Sequence, residues 1–314
     1  YFESPLLYKE NGFKEEYTAK LLVEMLEEEP VQSPVIENIE RKKENKNAPL
    51  LYNLAELQND CSKFFKISPD QTLQIVQELY EKKMVTYPRT DARVLSTAVA
   101  KEIYKNISGL KNYGVCSSFA SDVLTQGSYK GIAKTRYVND KQITDHYAII
   151  PTGQGLNNLN SLNPTAAKVY ETICRRFLSI FYPPAVYQKV AITTGIKGEK
   201  FFSNFKVLSD EGYLKVMQYS FFQKNQDNTD NKGKEAEENE EIKCDEQFME
   251  LLKNLKKGDS INLEQYEIKE GETSPPKRYN SGSIILTMEN AGQFIEDEEL
   301  RAQIKGSGIG TSAT

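Results

Sequence analysis

The periodicity of the apolar residues changes at Pro183–Pro184, and this change constrains the fold more than any other feature of the sequence. Before it, segments such as "EYTAKLLVEMLEEE" and "PTAAKVYETICRRFLSIFY" repeat apolar side chains every three to four residues, which predicts amphipathic helices. From Ala185 the spacing becomes two, and "VYQKVAITTGIKGEKFFSNFKVLSDEGYLKVM" predicts several strands joined by glycine-containing turns. We therefore predict a multi-domain chain of α and β structure, for which 314 residues suffice.

Two helices followed by a strand are predicted in the first third of the chain. The helices are "LLYNLAELQNDCSKFF" and "SPDQTLQIVQELYEKK", the second with Ser68 as N-cap and Pro69 as its first helical residue, and "MVTYP" follows as a short strand. This order is similar to that of a winged helix, a common DNA-binding arrangement. We further predict a charged linker at the end of "PVIENIERKKENKNAP", an irregular region over Tyr113–Tyr137 and a helix over Ser283–Ala291.

The net charge of −5 is unevenly distributed along the chain. Residues 224–250 hold ten acidic residues against four lysines. We predict a disordered insertion or a long hairpin tip over residues 224–241, and a short helix and a turn in "EQFMELLKNLKKGDSI". Residues 82–140 hold ten lysines and arginines against four acidic residues. Such a basic stretch is usually a solvated face, but it is also compatible with contacts to phosphate groups. The acidic total therefore does not exclude a nucleic-acid partner.

The cysteines and the apolar runs indicate a cytoplasmic location. The four cysteines are far apart and form no C-x-x-C pair, which favours buried thiols over a zinc site or a disulfide framework. No apolar run approaches the roughly 18 residues that cross a bilayer. The first residues lack the pattern of a signal peptide, so we predict no membrane contact. Because the chain begins at Tyr1 rather than at a methionine, we expect it to be a fragment.

The segment "MVTYPRTDARVLS" (residues 84–96) is the first candidate site. Pro88 favours an extended backbone at Tyr87, which places Arg89 on the same side of the chain as Tyr87. Three basic residues flank these positions: Lys82, Lys83 and Arg93. A phenol beside a guanidinium fits a phosphate-binding site and equally a packed corner of the fold.

The segment "TDHYAIIPTG" (residues 144–153) is the second candidate site, because it contains His146, the only histidine in the sequence. A single histidine is usually structural. Here Asp145 precedes it, and the apolar "AII" that follows predicts a buried strand that could hold the imidazole against a fixed partner. Histidine can donate a hydrogen bond to a phosphate oxygen or transfer a proton near neutral pH.

Five segments resemble the motifs of the type IA DNA topoisomerases, and they occur in the same order as in that family. "TYPRTDARVL" resembles their nucleophile motif and "DHYAIIPT" their histidine segment, while "APLLYNLAELQ", "PPKRYNSGSIILTMENAG" and "GIGTSAT" are similar to the remaining three. Together they cover the chain from about Ala48 to Thr314. The residues of "YPRTD" and "AIIPT" are more similar to the motifs of the topoisomerase III branch than to those of bacterial topoisomerase I.

The resemblance implies a role for each candidate residue. Tyr87 would attack a phosphodiester of single-stranded DNA and form a 5′-phosphotyrosyl intermediate, a covalent mechanism that needs no ATP. Arg89 would clamp a non-bridging phosphate oxygen, and His146 would hydrogen-bond the scissile phosphate or its neighbour. Thr314 matches a family threonine that contacts the DNA backbone, and we also predict DNA contacts for the flanking basic residues Lys82, Lys83 and Arg93. Asp91 could orient Arg89 or cap a turn.

The resemblance also implies the architecture. Residues 1–46 and 180–270 would form a β-rich arch, residues 47–179 a helical, winged-helix-like domain carrying the catalytic tyrosine, and residues 271–314 part of a C-terminal helical domain. A Toprim domain, which holds Mg²⁺ in the family, has no counterpart in these motifs, so we expect neither a metal site nor activity from this chain alone. Two alternatives are a non-catalytic DNA-binding module and a tyrosine recombinase, although one histidine does not suit the second.

Overall fold

A computed structural model describes residues 2–3, 12–222, 246–272, 274–295, 300–301 and 309. The chain divides into two compact units, each assembled from separate parts of the sequence. Unit 1 comprises Tyr1–Lys46, Ala185–Glu211 and Gly233–Pro275, and unit 2 comprises Asn47–Pro184, Gly212–Lys232 and Pro276–Thr314. Within the described ranges, no helix has the length and apolarity needed to cross a membrane.

Unit 1 is built on an antiparallel sheet with the strand order β1-β4-β3-β2. Its strands are β1 (Phe2–Glu3), β2 (Val35–Lys46), β3 (Ala185–Ile196) and β4 (Glu199–Asp210). The predicted alternation after Ala185 is thus confirmed as the β3–β4 hairpin. Lys197 and Gly198 both have positive φ, at 49° and 83°, as a two-residue type I′ turn requires.

Two helices complete the described part of unit 1, α1 (Glu16–Glu27) and α7 (Glu246–Asn254), and both were predicted. A cluster of buried residues packs α7 against one face of the sheet: Ile36, Val190, Ile192 and Leu252. Arg41 of β2 caps this helix, because its Nη2 donates to the carbonyl oxygens of Leu252 at 2.7 Å and Leu255 at 2.6 Å. A guanidinium at this position satisfies carbonyls that have no partner inside the helix.

The charged linker predicted at the end of "PVIENIERKKENKNAP" is wrong. The whole segment is strand β2, which pairs with β3 along its full length, from Val35 opposite Gly195 to Lys46 opposite Ala185. Its lysines and glutamates are compatible with a strand because β2 ends the described strand order, and charged side chains are common on edge strands. The acidic segment at residues 224–245 lies outside the described residues.

Unit 2 is mainly helical. Its α-helices are α2 (Leu54–Phe65), α3 (Pro69–Glu81), α4 (Thr97–Leu110), α5 (Ser117–Gln126), α6 (Pro164–Ser179) and α8 (Ser281–Glu289). The predicted start of α3 is confirmed, since Ser68 and Gln71 form a capping box with Pro69 at the first helical position. The irregular region predicted over Tyr113–Tyr137 is wrong, because it contains α5 and a 3₁₀ helix over Ser128–Lys134.

Helix α6 is buried along most of its length and carries two buried ion pairs. Arg175 donates from Nε to Glu171 at 2.6 Å. The Arg176 Nη2 donates to Asp60 Oδ2 at 2.9 Å and to the Tyr52 hydroxyl at 3.1 Å, and that hydroxyl donates to the same carboxylate oxygen at 2.5 Å. Burial raises the pKa of the Tyr52 phenol well above its usual value. Arg176 therefore links α6 to α2 through Asp60, and to the residues before α2 through Tyr52.

The strand predicted for "MVTYP" does not form as a regular element. Only Val85 makes a β-bridge, to Pro151, and the backbone then continues as an extended loop through Tyr87. Pro88 accounts for the interruption, because it has no N–H group to donate to a ladder. The candidate tyrosine therefore lies on a loop between α3 and α4.

Candidate nucleic-acid cleavage site

Two chain segments that are far apart in sequence lie side by side in unit 2. Thr86 N donates to Ile150 O at 3.0 Å, and Thr152 N donates to Met84 O at 2.9 Å. Ile149 N in turn donates to Tyr52 O at 2.8 Å, so the segment also rests on the residues that precede α2. This pairing brings both candidate segments to one place on the unit.

The rings of Tyr87 and His146 are in contact. Their centroids are 4.4 Å apart, with an angle of 43° between the ring planes. Tyr87 is half-buried and His146 is exposed. A hydroxyl and an imidazole held this close can reach one small group, such as a phosphate, at the same time.

Tyr80 is a site residue that the sequence alone did not reveal. It lies in the last turn of α3, and its ring meets the Tyr87 ring edge-to-face with a centroid distance of 5.5 Å and an interplanar angle of 81°. Edge-to-face contacts of this kind favour one relative orientation of two aromatic rings. Tyr87 is therefore held between Tyr80 and His146. The only signal in the sequence is an aromatic residue near the end of the helix that precedes the loop.

Arg89 is exposed, and it has no ion pair with any acidic side chain in the described part of the chain. The suggestion that Asp91 orients Arg89 through such a pair has no support in these contacts. Asp91 instead accepts a hydrogen bond at its carbonyl oxygen from Asn53 Nδ2 at 3.2 Å. The Arg89 guanidinium is thus available to an anionic ligand near Tyr87.

The other predicted DNA contacts differ in their surroundings. Lys83 is exposed with φ 60°, and Lys82 pairs with Glu78 at 3.5 Å. Arg93 is partly buried, pairs with Glu56 at 2.5 Å and donates from Nε to Leu51 O at 3.3 Å. Arg93 therefore fastens the loop to α2, although its role toward DNA stays a prediction. Thr314 lies outside the described residues.

Asn53 connects the tyrosine loop to two helices. Its side-chain oxygen caps α2 by accepting from Glu56 N at 2.9 Å, while its Nδ2 donates to Asp91 O and, at 2.5 Å, to Glu289 Oε1 of α8. Burial raises the pKa of the Glu289 carboxyl, an effect that the Asn53 hydrogen bond partly opposes. The Glu289 carboxylate is thus used for a structural hydrogen bond.

The described residues do not fit a magnesium site. They contain no cluster of three or more histidine, cysteine, aspartate or glutamate side chains that could hold a metal ion. Three cysteines, Cys61, Cys116 and Cys174, are free and buried, as the sequence predicted. Burial raises the pKa of Cys116 to about 12, which leaves it mainly as an inert thiol at neutral pH.

The fold of the chain is similar to that of a known topoisomerase. A search of solved structures finds full-length topoisomerase I from Thermotoga maritima with a TM-score of 0.59 and 20% sequence identity, covering 100% of this chain and 42% of that one. At this identity the likeness concerns the fold alone, and it confirms the predicted fold class.

The sequence comparisons then identify the family: the chain belongs to the DNA topoisomerases, because the family model of that description matches residues 4–314. DNA topoisomerase 3 from Bacillus subtilis is 32% identical over an alignment of 310 residues that covers 96% of this chain and 38% of that protein. DNA topoisomerase 3 from Bacillus licheniformis is 33% identical over 284 residues, 89% of this chain and 36% of that protein. The predicted resemblance to the topoisomerase III branch is confirmed, and the chain spans little more than a third of these relatives.

Proposed function

We propose that this chain is the tyrosine-bearing part of a cytoplasmic type IA topoisomerase, which cleaves one DNA strand, passes another strand through the break and reseals the first. The observation that carries the proposal is the contact between the Tyr87 and His146 rings, with Arg89 exposed two residues from the tyrosine. Within a family of DNA topoisomerases, this group of side chains suits a phosphodiester.

The reaction begins with attack of the Tyr87 phenol oxygen on the phosphorus of a phosphodiester in single-stranded DNA. The phenolic proton leaves as the new O–P bond forms, and the bond from phosphorus to the 3′ oxygen breaks. That oxygen takes up a proton and leaves as a 3′-hydroxyl, while the 5′ phosphate stays esterified to Tyr87. One phosphate ester replaces another, so resealing by the reverse step requires no ATP.

Arg89 and His146 stabilise the charge on the transferring phosphate. The planar guanidinium of Arg89 can offer two parallel N–H donors to non-bridging oxygens, which a lysine at this position cannot do. His146 donates a hydrogen bond to the same phosphate or to its neighbour. Arg89 acts at the phosphate that Tyr87 attacks and His146 at that phosphate or the adjacent one, and the exposure of both side chains leaves them open to a DNA strand.

A magnesium ion, when bound, would neutralise phosphate charge, and its ligands would come from a Toprim domain, as would a lysine that acts on the leaving oxygen. The described residues offer no cluster of metal ligands. We therefore expect this chain to bind single-stranded DNA but to cleave it only when it is joined to a Toprim domain.

The decisive test replaces Tyr87 with phenylalanine in an enzyme that joins this chain to a Toprim domain. Tyr87→Phe keeps the ring contacts and removes the attacking oxygen, so we expect the covalent protein–oligonucleotide adduct on a denaturing gel to disappear. The affinity for a single-stranded oligonucleotide should change by no more than about twofold. Tyr104→Phe is the matched control, because Tyr104 is an exposed tyrosine of α4, and it should leave adduct formation unchanged.

Two results would contradict the proposal. An adduct that persists in Tyr87→Phe would show that another residue attacks, and binding without any adduct from the unsubstituted enzyme would favour a non-catalytic DNA-binding module. A salt titration of this chain tests the binding step separately. Each phosphate contacted on a single strand should steepen the dependence of log affinity on log salt by about 0.7. An affinity that does not change with salt would show that the basic region makes no phosphate contacts.

A further inference from the structure

Thr90, three residues after the candidate nucleophile, binds the backbone of the histidine segment. Its Oγ1 donates to the carbonyl oxygen of His146 at 2.8 Å and accepts from Ala92 N at 3.1 Å. Only 5% of Thr90 is exposed. The hydroxyl therefore uses both its donor and its acceptor capacity inside the unit.

Thr86, directly before the nucleophile, makes the same kind of contact from the other side. Its Oγ1 donates to the carbonyl oxygen of Ala148 at 3.1 Å and accepts from Ile150 N at 2.9 Å. Two threonine hydroxyls thus bracket Tyr87 in the sequence, and each bonds a carbonyl of the segment that carries His146.

These contacts are unlike the local threonine turns found elsewhere in the chain. Thr135 also donates from Oγ1 to a carbonyl, that of Ile132 at 2.7 Å, and accepts from Tyr137 N at 3.3 Å, but all three residues lie within one short stretch. The acceptors of Thr86 and Thr90 are 62 and 56 residues away along the chain. The hydroxyls beside Tyr87 join two segments rather than closing one turn.

We propose that Thr86 and Thr90 are positioning residues that set the distance between the Tyr87 and His146 rings. The proposal rests on the function proposed above. Thr90 binds the backbone carbonyl of His146, and Thr86 binds the carbonyl of Ala148, two residues later in the same segment. The two hydrogen bonds fix this segment against the tyrosine loop and so restrict the position of the imidazole. A fixed separation lets the phenol and the imidazole address one phosphate, and a misplacement of 1 Å at such a site can cost on the order of 100-fold in rate.

The single histidine of the sequence provides a direct readout in the 314-residue chain, because the imidazole C–H signals in a ¹H–¹³C spectrum can come only from His146. The Tyr87 ring, 4.4 Å away, should displace these signals by its ring current. Thr90→Val keeps the branched shape and loses the hydroxyl, so we expect the signals to move toward the position they take in Tyr87→Leu. Thr90→Ser restores the hydroxyl and should return them. The control Thr135→Val should leave them in place.

The second arm measures chemistry in the enzyme joined to a Toprim domain. Thr90→Val should slow adduct formation at least about tenfold, with oligonucleotide affinity retained within about twofold, and Thr90→Ser should recover most of the rate. Thr86→Val and Thr86→Ser form a second matched pair at a half-buried position, should Thr90→Val fail to fold.

Two outcomes would overturn the positioning role: unchanged His146 signals in the folded valine variants, or shifted signals with an unchanged rate of adduct formation. Failure of the function proposed above would look different. In that case the unsubstituted enzyme would form no adduct, or the adduct would survive Tyr87→Phe, whatever the His146 signals show.

Discussion

Replacing Arg176 with methionine tests whether the buried network under the site supports unit 2. The guanidinium donates to Asp60 at 2.9 Å, to the Tyr52 hydroxyl at 3.1 Å and, from Nη1, to Leu50 O at 3.1 Å. It also lies over the Tyr52 ring, 4.2 Å from the centroid. Methionine replaces much of the aliphatic stem but none of these donors, so the Asp60 carboxylate would keep only the Tyr52 hydroxyl.

The expected cost is large because neither charge is well solvated. The side chains of Arg176 and Asp60 are only 9% and 12% exposed, and removal of one partner from a buried ion pair typically costs about 3–5 kcal/mol. In a domain of 150–250 residues that corresponds to a fall in Tm of roughly 6–20 °C. Lys105→Met removes one partner of an exposed pair on α4, where the side chains are 57% and 68% exposed, and should cost no more than about 0.5 kcal/mol.

Urea unfolding followed by circular dichroism at 222 nm measures both variants, since most of the described helices belong to unit 2. The double variant Arg176→Met/Asp60→Asn closes a thermodynamic cycle, and it should cost less than the sum of the single changes because it leaves no buried charge unpaired. If Arg176→Met costs less than about 1 kcal/mol, or if the two changes are additive, the pair does not act as a buried network.

Two further predictions test the packing around the site. Gly109→Ala would normally favour a helix by roughly 0.5–1 kcal/mol. Here it should destabilise unit 2 instead, because a Cβ on residue 109 would overlap the backbone of Gly153. The control Gly131→Ala should be nearly neutral in the same urea assay, because a Cβ there has no heavy atom within 4 Å. Glu289→Gln should stabilise the chain at pH 7, because the folded pKa of this carboxyl is raised and its charged form is the disfavoured one, while Gln keeps an acceptor for Asn53. This gain should shrink as the pH falls through the folded pKa of Glu289, and equal stability of the two proteins at pH 7 would contradict it.

The sequence predicted those parts of the fold that depend on local signals. Helix α3 is an example, since the Ser68–Gln71 capping box and Pro69 specify its start without help from distant residues. Strand β2 could not be predicted in full, because its charged second half is a strand only by virtue of pairing with β3, which lies about 150 residues later in the chain. Helix α5 was missed for a related reason, since its only buried residues are Ala120 and Val123, too few for a clear helical period.

The contacts within the candidate site could not be predicted from the sequence, because they also depend on residues that are distant along the chain or across a helix end. Motif resemblance made Tyr87, Arg89 and His146 candidates, but neither composition nor spacing predicts that the Tyr87 and His146 rings meet. Tyr80 was missed because a partner seven residues away across a helix end follows no simple periodicity. The threonines were missed because their partners are backbone carbonyls, which carry no identity in the sequence. Their only trace is that a threonine precedes Tyr87 and another follows Arg89.

In the candidate site the side chains proposed to bind phosphate are exposed, whereas the groups that hold their backbone in place are buried, and this arrangement has an energetic reason. In the proposed function Arg89 and His146 remain exposed to meet a phosphate, so neither is fixed by burial of its own side chain. The backbone that carries them can be fixed, and Thr90 and Tyr52 fix it from buried positions, the first through the His146 carbonyl and the second by accepting from Ile149 N. A buried hydrogen bond left unmade costs about 1–3 kcal/mol, whereas an exposed one is readily replaced by water. Substitutions at the exposed positions should therefore change the reaction with little effect on stability, and substitutions at the buried positions should change both.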